Sequence, residues 1–334
     1  MFRDNEIIVL LGAGSSADAG IPVSTTMIDK LESLLKTDLA WKTHLQFYNL
    51  VKSAILYSDG IQGVSSPNFD IERLVNVLSE LEKRENSILY PFVGSWIPRL
   101  MEVATYDFQE RCKSFKEKIL EELKQWVTLG DYSDGRYYKK LFDFQQEYNY
   151  SLRVFSLNYD LCIEKNTPEN KEVVRGFDNK THVWSWKPYE QKEEYELALY
   201  LYKLHGSIDW EREDNLSLRE VDNLPKIPDL IFGTNYKMQY VDPYLFYAYE
   251  FRKYSLESKI IITIGYSFRD EHINGILDQA LRLDAERRVI MVSPDADKLH
   301  KQLGSSKQYI SVKKKAKEFF DDLTLEYANS LSSE

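Results

Sequence analysis

The sequence predicts an α/β protein, a Rossmann-like parallel sheet carrying a mostly helical insertion. Three observations predict it. Ile7 to Leu11 is a continuous apolar run and Lys259 to Ile264 a strongly β-branched one, the pattern of strands buried on both faces. Beyond residue 150 such runs alternate with helical patterns, which implies a parallel sheet. Between residues 27 and 150, apolar residues recur at helical spacing instead. The first strand has to join the later ones. The expected division is therefore 1–26 with 151–334 as the sheet domain and 27–150 as the insertion.

The strand at Ile7 to Leu11 runs into Gly12-Ala13-Gly14-Ser15-Ser16-Ala17-Asp18-Ala19-Gly20-Ile21-Pro22. Gly12 and Gly14 permit a tight turn and the close approach of a bulky anion. Ser15 and Ser16 are suited to cap a following helix, whose free N–H groups favour phosphate. Gly20 and Pro22 limit that helix to barely a turn, so the chain folds back over the glycine turn. The order of strand, glycine turn and helix start is the context of a dinucleotide site. An ordinary site of that kind also wants an acidic residue about 20 residues on; here Asp29 and Glu32 fall in a helical pattern.

In the helical block, Met27, Leu31, Leu34 and Leu35 share one face, as do Leu45, Tyr48, Val51 and Ile55. Tyr57 to Asn68, with Gly60, Gly63 and Pro67, reads as a loop. Asp70 reads as the N-cap of a helix bearing Ile71, Leu74, Val75 and Leu78. Pro91 and Pro98 interrupt the next segment. Ser114-Phe115-Lys116-Glu117 has the form of a capping box opening a helix that Gly130 ends. A further helix is expected from Tyr137 to Tyr148.

Strands are then expected at Leu152 to Leu157, Glu196 to Leu204, Asp229 to Phe232, Lys259 to Ile264 and Arg287 to Val292. Helices are expected at Pro243 to Leu256, Glu271 to Leu283 and Ala296 to Leu303. Tyr240, Tyr244, Phe246, Tyr247, Tyr249, Phe251 and Tyr254 form a dense aromatic group that reads as core packing, with a subunit interface as the other reading.

Composition narrows the function. With 334 residues, 43% hydrophobic and 29% charged, the chain is an ordinary globular one with room for about two domains. A net charge of −10 argues against nucleic acid as a direct partner. Cys112 and Cys162 form no Cys-x-x-Cys pair, so a four-cysteine zinc site is excluded, and both read as reduced and buried. No apolar run approaches a membrane span, and the first residues lack the signal-peptide pattern. A cytoplasmic protein is expected.

In open parallel sheets, ligands sit beyond the carboxyl ends of the strands. There the sequence places the glycine turn, then Asn158, Tyr159 and Asp160, then His205, Gly206 and Ser207, then Gly233 and Thr234, then Gly265, Tyr266 and Ser267, and finally Ser293, Pro294 and Asp295. Each has a bland reading as a helix cap, a turn residue or a loop histidine. Together they favour a site.

As an ordered set, Gly12-Ala13-Gly14-Ser15 with Gly20-Ile21-Pro22, Leu157-Asn158-Tyr159-Asp160, Lys203-Leu204-His205-Gly206-Ser207 and Ile264-Gly265-Tyr266-Ser267 resemble the sirtuin family. The more particular likeness is to the sirtuin-like NAD-hydrolysing effectors of bacterial anti-phage defence, which carry a helical insertion and lack the zinc module. Sirtuin deacylases have a zinc-binding cysteine quartet and an Asp-Phe-Arg after Gly-Ile-Pro. This chain has neither, with Val23-Ser24-Thr25 in the second place.

The resemblance implies hydrolysis of NAD, as substrate, to nicotinamide and ADP-ribose, without zinc. Asn158 would hold the ribose or the attacking water, an amide being able to donate and accept without charge. His205 would be the general base, imidazole being the side chain that exchanges protons near neutral pH. Asp160 would hold the nicotinamide side or stabilise the developing cation. Gly12, Ala13, Gly14 and Ser15, with Gly20, Ile21 and Pro22, would bind the pyrophosphate, and Gly265, Ser267 and Asp295 would line the adenosine half. The resemblance further implies a homo-oligomer that depletes NAD when triggered by a partner such as a HerA-type ATPase or an Argonaute-like protein. A sirtuin-type deacylase and a non-catalytic NAD or ADP-ribose sensor are the competing readings. A pure sensor needs neither Asn158 nor His205.

Overall fold

The computed structural model describes residues 2–63, 69–83, 102, 108–190, 197–213, 217–232 and 241–332. Pro67, Pro91, Pro98, Gly233, Thr234 and Tyr240 lie outside the described residues. The strands are β1 (Ile7–Leu11), β2 (Leu152–Ser156), β3 (Val173–Val174), β4 (Leu199–Lys203), β5 (Trp210–Arg212), β6 (Leu218–Glu220), β7 (Ile260–Ile264), β8 (Arg288–Val292) and β9 (Tyr309–Val312). Seven of them form one parallel sheet in the order β3-β4-β2-β1-β7-β8-β9, and β5 and β6 pair as a separate antiparallel hairpin. The expected Rossmann-like α/β architecture is what forms.

The central strands follow from their composition. Ile7 to Leu11 are at most 1% exposed, and every residue of β2, β4 and β7 is buried. Burying each large apolar side chain contributes about 1.5–3 kcal/mol. A strand covered on both faces collects that from every residue, which is why these runs do not alternate.

Contacts divide the chain into two compact units. One comprises Met1–Ile21, Val127–Leu230 and Lys237–Glu334 and holds the sheet; the other comprises Pro22–Trp126 and Ile231–Tyr236. Residues 127–150, expected in the insertion, thus cluster with the sheet. The Tyr148 hydroxyl donates to Arg3 O (2.6 Å) and accepts from Ile7 N (3.2 Å), and Tyr137 donates to Ser15 O (2.7 Å).

The second unit is helical in its described secondary structure. Ile71, Leu74, Val75 and Leu78 are buried along the helix Ile71–Lys83, and Asp70 Oδ1 accepts from Arg73 N (3.0 Å) as its cap. Two expectations fail here. The helix Leu45–Ile61 runs through Tyr57 to Ile61, the first part of the segment read as a loop, Gly60 included, and residues 64–68 of that segment lie outside the described residues. The helix Phe108–Val127 passes straight through Ser114, so there is no capping box. Phe108 and Cys112 extend the buried stripe of Phe115, Ile119 and Leu123 by almost two turns, and packing outweighs the local signal.

In the sheet unit, the expected helix Tyr137 to Tyr148 is a 3-10 turn Ser133–Lys139 followed by an α-helix Lys140–Tyr148. Asp229 to Phe232 is not a strand: Leu230 makes one isolated antiparallel bridge to Gly206. Pro228 has no N–H to offer a ladder there. The aromatic group is largely core, with Tyr244, Tyr247, Phe251 and Tyr254 buried, but Tyr249 is 60% exposed. Cys112 and Cys162 are free and buried, and no described helix is long and apolar enough to cross a membrane.

Candidate active site

Sheet register assembles the site. Leu11 pairs with Ser156 and Ile264, Ser156 with Lys203, and Ile264 with Val292. Two residues beyond these partners the chain reaches Ala13, Asn158, His205, Tyr266 and Pro294. Neighbouring parallel strands lie about 4.8 Å apart, so this register sets one row at the carboxyl edge. Strand order reverses at β1, with β2, β4 and β3 on one side and β7, β8 and β9 on the other. That is where an open sheet leaves a crevice.

The glycine turn is packed against the turn after β7. Gly12 N donates to Ile264 O (2.9 Å) and Gly14 N to Gly265 O (3.0 Å). A Cβ on Gly12 would stand 2.6 Å from Gly265 O, and one on Gly265 2.1 Å from Ser15 N. The absence of side chains is therefore required by two backbones in contact. Ser15 N is also spent internally, on Gly12 O (2.9 Å), whereas Ala13 is exposed at the tip of the turn. Ser15 and Ser16 are not helix caps. They lie inside a 3-10 helix, Ala13–Ala19, whose N-cap Gly12 makes no side-chain cap, and Gly20 closes it with φ +94°. Ile21 and Pro22 follow, both buried.

The two serines turn inward because they hold Asn158. Asn158 Nδ2 donates to Ser15 Oγ (2.9 Å) and Ser16 Oγ (3.1 Å). Ser15 Oγ donates its one proton to Gly12 O (2.7 Å), so toward Asn158 it can only accept. The Tyr138 hydroxyl completes the set, donating to Ser15 Oγ (2.9 Å) and accepting from Ser16 Oγ (2.9 Å). Burial, with the charges of neighbouring groups, pushes the Tyr138 phenol far above its usual range and keeps it a neutral donor. Every proton is placed, and the amide orientation is fixed. Asn158 Oδ1 is left buried, with no hydrogen-bond partner among the described residues.

Asp160, also buried, is tied to its own loop: Oδ1 accepts from Cys162 N (2.9 Å), and Lys203 Nζ donates to its carbonyl oxygen. The loops after β2 and β4 are joined where Tyr159 O accepts from Ile208 N (3.1 Å).

His205 follows β4, and Gly206 turns the chain behind it at φ +89°, where a Cβ would stand 2.2 Å from Asp229 O. Four residues on, Asp209 takes two hydrogen bonds from Arg175 Nη2 (3.0 and 2.8 Å), and Arg175 also pairs with Glu220 (3.1 Å) and Glu164 (3.5 Å). Burial disfavours charge on both Arg175 and Asp209, but the facing charges outweigh it, raising the pKa of Arg175 and lowering that of Asp209. His205 Nε2 lies 3.2 Å from Asp270 Oδ2. The two border a cavity of about 30 Å³ with Tyr244, Phe251 and His272, room for a water.

Residues 152–316 match the family model of the SIR2-like domain. The SIR2-like segment, just under half of the chain, begins at the first residue of β2 and ends beyond β9. It contains Asn158, Asp160, His205, Gly265, Ser267 and Asp295 but not the glycine turn. No curated protein matches the chain. Among solved structures, it is similar to a mutant Sir2 homologue in complex with 2′-O-acetyl ADP-ribose, at 15% identity over 98% of this chain and 93% of that one, TM-score 0.48. It is also similar to a Sir2 homologue–NAD complex, at 14% identity over 97% and 90%, TM-score 0.49. Likeness of that degree carries no weight for the chemistry.

Within the SIR2-like segment, Ser267 and Asp295 are exposed, and Gly265 is committed to the glycine turn. Sequence reasoning missed Asp270 and Tyr138. Asp270 carries an N-cap signal ahead of Glu271–Leu283, and Tyr138 was visible only as one apolar position in an expected helix. Their contacts with His205 and the serines span 65 and 122 residues of sequence and leave no local trace. Among the described residues, no group of three or more His, Cys, Asp or Glu is placed to hold a metal.

Proposed function

We propose that this chain hydrolyses the bond between nicotinamide and ribose in NAD. The observation that carries the reading is Asn158, an amide oriented by Ser15, Ser16 and Tyr138, with its carbonyl buried and unpartnered in the strand-end row that also contains His205. A buried acceptor left open costs about 1–3 kcal/mol unless something donates to it. A ribose hydroxyl or the attacking water is such a donor. Breaking the glycosidic bond develops positive charge on the ribose, and nicotinamide leaves neutral, so no strong general acid is needed. Water adds its oxygen to the ribose carbon and yields its proton to His205. The negative charge of Asp160 offsets the developing cation. The turn at Gly12 to Ser15, with Ala13 at its tip and Gly20 to Pro22 behind it, lies against the pyrophosphate, and Gly265, Ser267 and Asp295 serve the adenosine half.

The SIR2-like match and the sirtuin-like motifs support NAD as the substrate. The likeness to anti-phage effectors supports NAD depletion by a homo-oligomer under an external trigger, a HerA-type ATPase or an Argonaute-like protein. The test is nicotinamide and ADP-ribose release from NAD by the purified protein, alone and with a co-encoded partner, beside Asn158→Ala. Release by the wild type, lowered at least 100-fold in Asn158→Ala with the variant still folded by circular dichroism, is expected. Undiminished release by the variant overturns the assignment, and acetyl-ADP-ribose from an acetylated peptide would make the protein a deacylase.

A further inference from the structure

We propose that Asp270 is a positioning residue that fixes which nitrogen of His205 accepts the proton. This rests on the reading of His205 as the base. The two side chains face each other at 3.2 Å, and neither is more than 7% exposed. Asp270 is held independently of the histidine: its Oδ1 accepts from His272 N (3.0 Å) and Ile273 N (3.3 Å) as the N-cap of Glu271–Leu283. Its loop is braced by the Tyr266 hydroxyl, which donates to Asn274 Oδ1 (2.8 Å) and lies 3.2 Å from Asp270 O, and by Asn274 Nδ2, which donates to Phe268 O (2.8 Å). One carboxylate oxygen is thereby locked into the helix end, and the other lies 3.2 Å from the imidazole Nε2.

An ionised carboxylate only accepts, so the ring nitrogen that faces it carries the hydrogen. Asp270 therefore selects the Nε2–H tautomer and leaves the lone pair on Nδ1, which has no hydrogen-bond partner among the described residues. When water attacks, its proton goes to Nδ1, and the imidazolium that forms is balanced by the Asp270 charge behind it. The division of labour matches the two halves of the sheet: β4 delivers the base, and the turn after β7 orients it.

Asp270→Asn separates this role from capping. The amide oxygen still serves the helix N-terminus, but an NH2 group now faces the ring, which forces the hydrogen onto Nδ1 and removes the lone pair from the working nitrogen. The expected result is a kcat lowered about 100-fold or more, in the range ascribed to a general base, with KM within threefold and an unchanged unfolding midpoint. Asp270→Glu, which keeps the charge, recovers part of the loss.

A second readout does not need turnover. In protein labelled with 15N-histidine, five ring systems are seen, and the spectrum of His205→Gln assigns the one of interest. His205 should be the Nε2–H tautomer in the wild type and the Nδ1–H tautomer in Asp270→Asn. A wild-type Nδ1–H tautomer overturns the proposal, as does an Asp270→Asn protein with wild-type kcat. If the wild type releases no nicotinamide under any condition, the hydrolase reading fails, and the tautomer pair alone decides whether Asp270 orients His205.

Discussion

Substituting Gly265 by alanine should unfold the protein far more readily than a loop glycine normally would. Gly265 has φ +64°, and its missing Cβ would stand 2.1 Å from Ser15 N, 2.3 Å from Gly14 C and 2.6 Å from Gly14 Cα. All three atoms are backbone, so no side chain can swing aside. The left-handed conformation alone costs alanine about 1–2 kcal/mol. Relieving the overlap requires the turns after β1 and β7 to part by about an ångström, which strains the bonds from Gly12 N to Ile264 O and Gly14 N to Gly265 O, each worth about 1 kcal/mol. The total is about 3–4 kcal/mol, a large part of a typical 5–15 kcal/mol stability. With a urea slope of about 2–3 kcal/mol/M, the midpoint should fall by about 1–2 M. The control is Gly275→Ala. Gly275 is exposed on the helix Glu271–Leu283, with nothing within 4 Å of its missing Cβ. Alanine there should stabilise by up to about 1 kcal/mol through helix propensity. A Gly265→Ala protein that unfolds at the wild-type midpoint but has lost NAD turnover would refute the packing argument, because it would mean that the glycine makes room for a ligand only.

Two further predictions concern charge in buried places. Burial, reinforced by Arg111 and Lys118, lowers the pKa of His44 from 6.5 to about 4. The contribution of His44 to stability is therefore fully present above pH 6.5, and up to about 3 kcal/mol of it is lost as the pH falls from 6.5 to 4, since the unfolded chain takes up the proton first. His44→Phe keeps the stacking on Phe115 (4.9 Å) and should flatten that dependence; urea midpoints at pH 7 and pH 4.5 check it, and a dependence equal to the wild type's would exclude His44 as its source. Arg175→Met leaves Asp209, Glu164 and Glu220 without their shared cation; the expected cost is about 3–5 kcal/mol, or roughly 6–20 °C in Tm, and an unchanged melting curve would count against the cluster as a brace for the His205 loop.

The sheet was legible because burial on both faces writes itself into composition. Five consecutive apolar residues at Ile7 to Leu11 suit a strand covered on both faces and little else, and so do the five consecutive β-branched residues Ile260 to Ile264. Elements whose existence depends on neighbours were not legible. β3 is two residues long and exists because β4 offers an edge, and β9 is half-buried beside β8. Ser114 and Glu117 carried a local cap signal, but Phe108 and Cys112 had packing partners that the local pattern could not register. At the candidate site, Asn158 and His205 could be found because each stands just past a strand. The orientation of Asn158 could not, because it depends on Tyr138 and on where one serine proton goes. Ser15 and Ser16 were noticed for a capping chemistry they do not perform.

The glycine turn also governs how the site is made. Among the described residues, the SIR2-like segment supplies β2, β3 and β4 as one group and β7, β8 and β9 as another, with no ladder between the groups. β1 joins them, pairing with β2 on one side and β7 on the other. A strand inserted at that place must end where strand order reverses, so its outgoing turn necessarily lies between the loop carrying Asn158 and the loop leading to Asp270. Gly12 and Gly14 let the turn press against Gly265, and Ser15 and Ser16 then reach Asn158. The packing that closes the sheet is thus also what orients the amide. Loosening that contact should misplace Asn158 before it exposes the core, so in a graded series of substitutions at Gly14 turnover should be lost at lower urea than β-sheet circular dichroism.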